Sequence, residues 1–269
     1  MNAQRTVFIA AISSDIGREL ALLHLQRGDH VIGTYRNADQ VSALQGLEGL
    51  DLLPCDLSNP QSITNAVTSL KALDKPWDVF ISAVGDLRPI GPFFESDVGP
   101  WAQSIDVNGS GQLRLLHAVY PHRRPRAVAK VAFLVGGGIN GPFRNYSAYC
   151  LGKILLVKAC ELLHDEAADV HAVAIGTGWG DTKIHRQTLD AGKKAGANYR
   201  KTADFLASGQ AGTTCSDILA CMDWCFSQDR AVTGGRNISV VHDGWREGVG
   251  LAADLLADPD KYRLRRSGN

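Results

Sequence analysis

The feature that most constrains this chain is an alternation that runs almost from end to end. Short apolar, β-rich runs are each followed by stretches with helical apolar spacing. Thr6–Ala10 precedes Ser13-Ser14-Asp15, after which Ile16, Leu20 and Leu23 recur at helical intervals until Gly28 stops the pattern. His30–Thr34 and Leu50–Cys55 read as the next strands, Ser62–Leu73 as a helix and Asp78–Ala83 as a fourth strand. Ser96–Tyr120 reads as one long helix with Pro100 near its start. Lys130–Val135 is a fifth strand, Ser147–His164 a helix, Val170–Ile175 a sixth strand, Cys215–Phe226 a helix and Asn237–Val241 a last strand. Strand, helix and strand at this spacing require parallel βαβ units with right-handed crossovers. The expected fold is α/β: a doubly wound parallel sheet of about seven strands with helices on both faces. No Pro/Gly/Ser-rich linker and no repeat interrupts it, so residues 1–269 read as one domain. In such folds ligands bind at the carboxyl ends of the strands, so the loops after each strand are the places to look for chemistry.

Charge and composition narrow the function. Twenty-eight Lys plus Arg balance 28 Asp plus Glu, which argues against a general nucleic-acid binder. Apolar residues are 45% and charged ones 21%, enough material for a buried core. No apolar run approaches the roughly 18 residues of a membrane helix. The run Val7–Ile12 is too short for a signal segment and is followed at once by Asp15 and Arg18. The six cysteines lie in apolar segments without a CxxC pair, so reduced thiols in a cytoplasmic protein are expected, with no metal site.

Three loops carry chemistry. After the first strand, Ala10-Ala11-Ile12-Ser13-Ser14-Asp15-Ile16-Gly17 has the position of a dinucleotide turn, where backbone N–H groups and a helix N-terminus meet a pyrophosphate. Only Gly17 remains of the usual glycines. After the second strand comes Tyr35-Arg36-Asn37. An acid there serves the ribose hydroxyls of NAD, whereas an arginine favours the 2′-phosphate of NADP, so NADP (NADPH) is expected rather than NAD. Tyr149 and Lys153 lie four apart in the helix after the fifth strand, on one helix face. A nearby cation stabilises phenolate, which suits Tyr149 to acid/base work.

In these positions the chain resembles the short-chain dehydrogenase/reductase family, in its single-domain Rossmann-like form, over roughly residues 5–245. The resemblance rests on the degenerate glycine turn, Cys55-Asp56-Leu57, Ser82-Ala83-Val84-Gly85, Asn108, Tyr149 with Lys153, Thr177-Gly178-Trp179-Gly180-Asp181-Thr182 and Gly234-Gly235-Arg236-Asn237. It implies that Tyr149 exchanges a proton with the substrate oxygen as hydride passes to or from the nicotinamide. Lys153 would hold the nicotinamide ribose and keep Tyr149 acidic, and Asn108 would position a relay water. Ser13, Ser14, Ile16 and Gly17 would meet the pyrophosphate, and Asp56 and Leu57 the adenine. Val84 and Gly85 would pass beside the adenosine ribose, and Gly178, Trp179 and Thr182 would hold the carboxamide end. It further implies a homodimer or homotetramer formed through the helices at 96–120 and 147–164, a mobile substrate lid at 183–213 and a C-terminal tail at 245–269.

The pattern breaks in three places. Ala11 and Asp15 replace two glycines of the turn. Ser82-Ala83-Val84-Gly85 lacks the family's amide side chains, which brace neighbouring strands. Gly136 stands thirteen residues before Tyr149, where the family has its catalytic serine. Ser147, Asn140 or a backbone N–H of the glycine run would then supply the missing donor. The alternative is a divergent non-redox protein of the same fold, a dehydratase, isomerase or NADP-binding regulator. On the substrate side, Lys183, His185, Arg186, Lys193, Lys194, Arg200 and Lys201 outnumber the acids of the lid. That excess suggests a polar, possibly anionic small molecule or sugar derivative.

Overall fold

The computed structural model describes residues 4–180, 182–209, 212–247 and 249–266. Asp181 of the loop after the sixth strand, 210–211 of the expected lid, and 248 and 267–269 of the expected tail lie outside the described residues. Strand β1 (Thr6–Ala10) leads through α1 (Asp15–Gln26) to β2 (His30–Tyr35) and β3 (Leu50–Pro54). Helix α2 (Pro60–Leu73) returns to β4 (Val79–Ser82). Helices α3 (Val98–Ile105) and α4 (Gly111–Val119) precede β5 (Ala129–Val135). Next come α5 (Ser147–Glu166), β6 (Val170–Gly176), α6 (Lys183–Asp190), α7 (Ala197–Ala207), α8 (Cys215–Ser227), the short α9 (Arg230–Thr233), β7 (Asn237–Ser239) and α10 (Val249–Ala257).

All pairings are parallel, in the order β3-β2-β1-β4-β5-β6-β7. The order reverses between β1 and β4, paired from Val7–Val79 to Ala10–Ser82, so a crevice opens beyond their carboxyl ends. Side chains along each strand alternate between two cores. Val7 and Ile9 face α1 and α8, whereas Phe8 and Ala10 face α2, α4 and α5. On three adjacent strands, Phe8 stacks on Phe80 at 5.5 Å between ring centres and Phe80 meets Phe133 edge-on at 6.1 Å. At the amino end of the sheet, Arg123 pairs with Asp169 and Arg124 with Asp78. The basic run before β5 is therefore spent on bracing the strands' starts. The buried Arg236 guanidinium donates to the carbonyls of Val232, Leu255, Asp258 and Lys261, which ties the C-terminal segment to β7.

Two expectations from periodicity change. The helix expected over Ser96–Tyr120 is broken at Asp106–Ser110 by a turn of π-helix. There the Asn108 Nδ2 takes the Ser104 carbonyl and the Gln112 Nε2 takes the Asn108 carbonyl, so side chains intrude on the backbone ladder. The last strand stops at Ser239 rather than Val241, because the Asp243 carboxylate accepts the Ser239 N–H and turns the chain. The expected lid is largely helical, in α6 and α7.

Candidate active site

The turn after β1 closes although two of its glycines are gone. Ser14 caps α1: its Oγ accepts the Gly17 N–H at 3.0 Å and donates to the Ala11 carbonyl at 2.8 Å. Ala11 adopts φ 60°, the left-handed conformation that glycine fills at least cost, and its N–H is held by the Thr34 Oγ1 at 3.1 Å. Gly17 is required by proximity, since a Cβ there would come under 3.0 Å from the Ala11 carbonyl. Ser13, Ser14, Ile16 and Gly17 thus stand together at the start of α1. The Asp15 carboxylate accepts the backbone N–H of Lys183 at 2.6 Å, and the Lys183 Nζ donates to the Ser13 carbonyl at 3.0 Å.

Arg36 is exposed at the carboxyl end of β2 and has no ion pair or hydrogen bond to a described residue. Beyond β3, the Asp56 carboxylate accepts from the Ser58 N–H and hydroxyl, and Leu57 is buried with its carbonyl on Arg114. Beyond β4, Val84 is buried and Gly85 lies beneath Ile184 of α6, 3.1 Å from where a Cβ would stand. A helix start with backbone donors, an uncommitted arginine one strand away and a loop with no side chain at Gly85 together suit a dinucleotide.

Tyr149 and Lys153 project from α5 beside this loop. The Lys153 ammonium is buried and donates to the carbonyls of Val84 at 2.6 Å and Leu134 at 2.8 Å. Burial pulls its pKa down to about 7. It stands 5.7 Å from the centre of the Tyr149 ring. Burial is also the main influence on Tyr149 and pushes the phenol well above its ordinary value. Raised from its ordinary value by burial, the phenol stays protonated at neutral pH. Tyr149 lines the cleft.

Asn108 meets the same loop from the other side. Its Oδ1 accepts the Asp86 N–H at 3.0 Å and its Nδ2 donates to the Asp86 carbonyl at 2.8 Å. The helices come together through glycines: a Cβ on Gly109 would lie 3.1 Å from the Gly152 carbonyl, and one on Gly152 only 2.7 Å from the Asn108 Cβ. This contact seats Asn108 against the helix that carries Tyr149 and Lys153.

Sequence reasoning missed Gln112. It is fully buried, accepts from the Ser82 Oγ at 2.7 Å and donates to the Asn108 carbonyl at 2.7 Å. Gln112 therefore supplies from a helix the amide that the loop after β4 lacks. A polar side chain on an apolar helix face was the available signal. Gln187 was also missed; its Oε1 accepts the Leu87 N–H at 2.9 Å and fastens the lid to the same loop.

The cleft has a volume of about 850 Å³. It runs from Asp15 and Ile16 past Gly136, Tyr149, Gly178, Trp179 and Thr182 to the C-terminal segment. Trp179 stacks on His185 at 5.2 Å and meets Phe205 edge-on at 5.3 Å. Phe143 stacks on Tyr146 at 4.3 Å. Asn140, Asn198, Thr188 and Thr202 add neutral polar groups. Of the lid's basic residues, His185 lines the cleft and Lys183 reaches the Ser13 carbonyl beside it, whereas Arg186, Lys193, Lys194, Arg200 and Lys201 do not line it. Of the two side chains considered as replacement donors, Asn140 lines the cleft, whereas the Ser147 Oγ accepts from the Trp101 indole at 2.9 Å.

Residues 10–243 match a family model described as enoyl-(acyl carrier protein) reductase. The chain is similar to an NADP-dependent 3-hydroxy acid dehydrogenase of Salmonella typhi, 26% identical over 203 residues that make up 73% of this chain and 82% of that protein. It is 24% identical to an NADPH-dependent pterin aldehyde reductase of Arabidopsis thaliana over 56% of this chain and 64% of that one. A probable NADP-dependent dehydrogenase of Haemophilus influenzae matches over 58% of its own length, so the chain spans about three-fifths of this protein and of the Arabidopsis one. A short-chain dehydrogenase/reductase of Saccharomyces cerevisiae superposes with a TM-score of 0.80 at 18% identity, covering 90% of this chain and 98% of that one. A short-chain dehydrogenase of Shigella flexneri in complex with NADP superposes at 0.72 with 18% identity, covering 88% and 96%.

Proposed function

Because the chain belongs to the short-chain dehydrogenase/reductase family, we propose that it is an NADP-dependent oxidoreductase. Its substrate is the carbonyl or secondary alcohol of a polar small molecule, neutral or anionic, or of a sugar derivative. The observation that carries this reading is the placement of Tyr149: a protonated phenol on the cleft wall, on the same helix as a lysine that reaches the loop after β4.

Ser13, Ser14, Ile16 and Gly17 would hold the diphosphate, Arg36 the 2′-phosphate, and Asp56 and Leu57 the adenine. Val84, Gly85 and Lys153 would hold the riboses, and Gly178, Trp179 and Thr182 the carboxamide. The chemistry the dinucleotide supplies when bound is a hydride to the substrate carbon. Tyr149 donates its proton to the substrate oxygen, a role that suits a phenol held neutral by burial. Lys153 replaces one of its two carbonyl partners with a ribose hydroxyl. Asn108 fixes the backbone at Asp86, and its carbonyl keeps a second lone pair for the relay water. Asn140 or a backbone N–H of the glycine run stands in for the absent serine. The aromatic wall and the polar groups of the cleft suit a polar substrate. Leu151 and Leu162 of α5, with Phe94 and Val98 near α3, are exposed apolar side chains through which two copies would pair.

The test is Tyr149→Phe. Carbonyl reduction, followed through NADPH absorbance over a panel of ketones and aldehydes, should fall by about 10²–10⁴, with NADPH affinity within about twofold of wild type. Retention of more than about a tenth of the activity would remove the phenol from the chemistry. Binding of NADPH without turnover of any carbonyl by wild type would favour a non-redox protein.

A further inference from the structure

The dinucleotide turn carries a carboxylate where a phosphate is expected. Asp15 is the first residue of α1 and takes the place of the turn's second glycine. A carboxylate suits a helix N-terminus, but it also competes with any anion for the same backbone donors and raises the local negative potential. Arg18 lies on one side of it, 3.6 Å from Oδ1. On the other side the chain returns from far along the sequence. The Asp15 Oδ2 accepts the Lys183 N–H, and the Lys183 Nζ extends over the turn to the Ser13 carbonyl. Lys183 is exposed, has no ion pair among the described residues, and begins the lid helix whose Ile184 covers Gly85.

A lysine held only by a backbone carbonyl is weakly committed. A diphosphate oxygen beside Ser13 would be a stronger acceptor for the same ammonium. We propose that Lys183 is a diphosphate ligand of the cofactor and that it offsets the Asp15 carboxylate, so that the two residues restore between them an anion site that the lost glycines would otherwise have provided. Because Lys183 opens α6, whose Ile184 and Gln187 rest on the loop after β4, its contact would tie the diphosphate to the lid. The inference rests on the reading of the turn as an NADP site.

The experiment measures NADPH dissociation constants by fluorescence titration for wild type, Lys183→Met, Lys183→Arg, Asp15→Asn and Lys183→Met/Asp15→Asn, with folding of each checked by circular dichroism. Methionine keeps the length of the stem and removes the charge. Lys183→Met should weaken NADPH binding about tenfold to a hundredfold. Lys183→Arg should stay within about threefold of wild type. In the Asp15→Asn background the cost of Lys183→Met should shrink to less than a third of its value. Two results overturn the proposal: a Lys183→Met affinity within twofold of wild type, or an equal cost of Lys183→Met with Asp15 and with Asn at that position. Failure of wild type itself to bind NADPH would instead overturn the cofactor reading on which the inference stands.

Discussion

The Tyr149 hydroxyl fills the space that a side chain on Gly136 would need: a Cβ on Gly136 would lie under 3.0 Å from the phenol oxygen. Gly136 has no positive φ, so its backbone would accept a serine. The obstacle is the phenol. The glycine at 136 and the seat of the tyrosine are thus a single arrangement, in which the phenol occupies the room a side chain at 136 would take.

Restoring the serine should therefore harm this protein. Gly136→Ser forces Tyr149 out of its seat, and overpacking of this kind costs about 1–3 kcal/mol. The denaturation midpoint should fall, and carbonyl turnover should fall with it. In a Tyr149→Phe background the same substitution should cost less, because the oxygen it meets is gone. Equal destabilisation in both backgrounds would show that the clash lies elsewhere.

Arg36 should decide between the two nicotinamide cofactors. With no competing partner among the described residues, its guanidinium is available for a charge-assisted contact to the 2′-phosphate. Arg36→Ala should weaken NADPH binding by about tenfold to a hundredfold and leave NADH binding unchanged. Titration of both cofactors against both proteins checks this, and equal affinities in wild type would contradict it.

Gln112 should matter to stability more than its surface-blind position suggests. Gln112→Leu leaves the Ser82 hydroxyl and the Asn108 carbonyl without their buried partner. Each such group costs about 1–3 kcal/mol, so a loss of at least about 2 kcal/mol is expected from denaturant unfolding. A near-neutral effect would mean that water replaces the amide.

Acidification should destabilise the fold through His171. Burial, with Lys130 and Arg230 nearby, pulls its pKa from 6.5 to about 4. Between pH 4 and 6.5 the unfolded chain binds a proton that the folded one refuses. Stability therefore rises with pH across this window and is lost as pH falls through it. His171→Gln keeps a group able to bond the Thr233 hydroxyl and removes the titration. Its unfolding midpoint should vary less than that of wild type between pH 4.5 and 6.5. Parallel profiles would exclude His171 as a source of the acid sensitivity.

The strands were legible because each is a short apolar run, and burial on both faces of a parallel sheet leaves such runs nearly uninterrupted. Tyr149 and Lys153 were legible because one helix face brings them together. The π-turn was not, because it depends on Asn108 and Gln112 finding Asp86 and Ser82, partners that helical periodicity does not register. The lining of the lid was not legible for a related reason. Counting its cations ignores direction, and α6 turns Ile184 and Thr188 inward while Arg186 stays exposed. The contact of Asp15 with Lys183 joins residues 168 apart and has no local signature at all.

The close approach of Gly109 and Gly152 has a consequence for how such a protein can diversify. It welds the helix bearing Tyr149 and Lys153 to the turn bearing Asn108, so any side chain at either glycine would displace all three groups together. The opposite wall, from α6 to α7, is fastened through a few side-chain contacts such as Gln187 with Leu87 and Tyr146 with Thr188. Inheritance can therefore act on the two walls separately: α6 and α7 can be rewritten position by position, while the half that carries Asn108, Tyr149 and Lys153 passes unchanged from one descendant to the next.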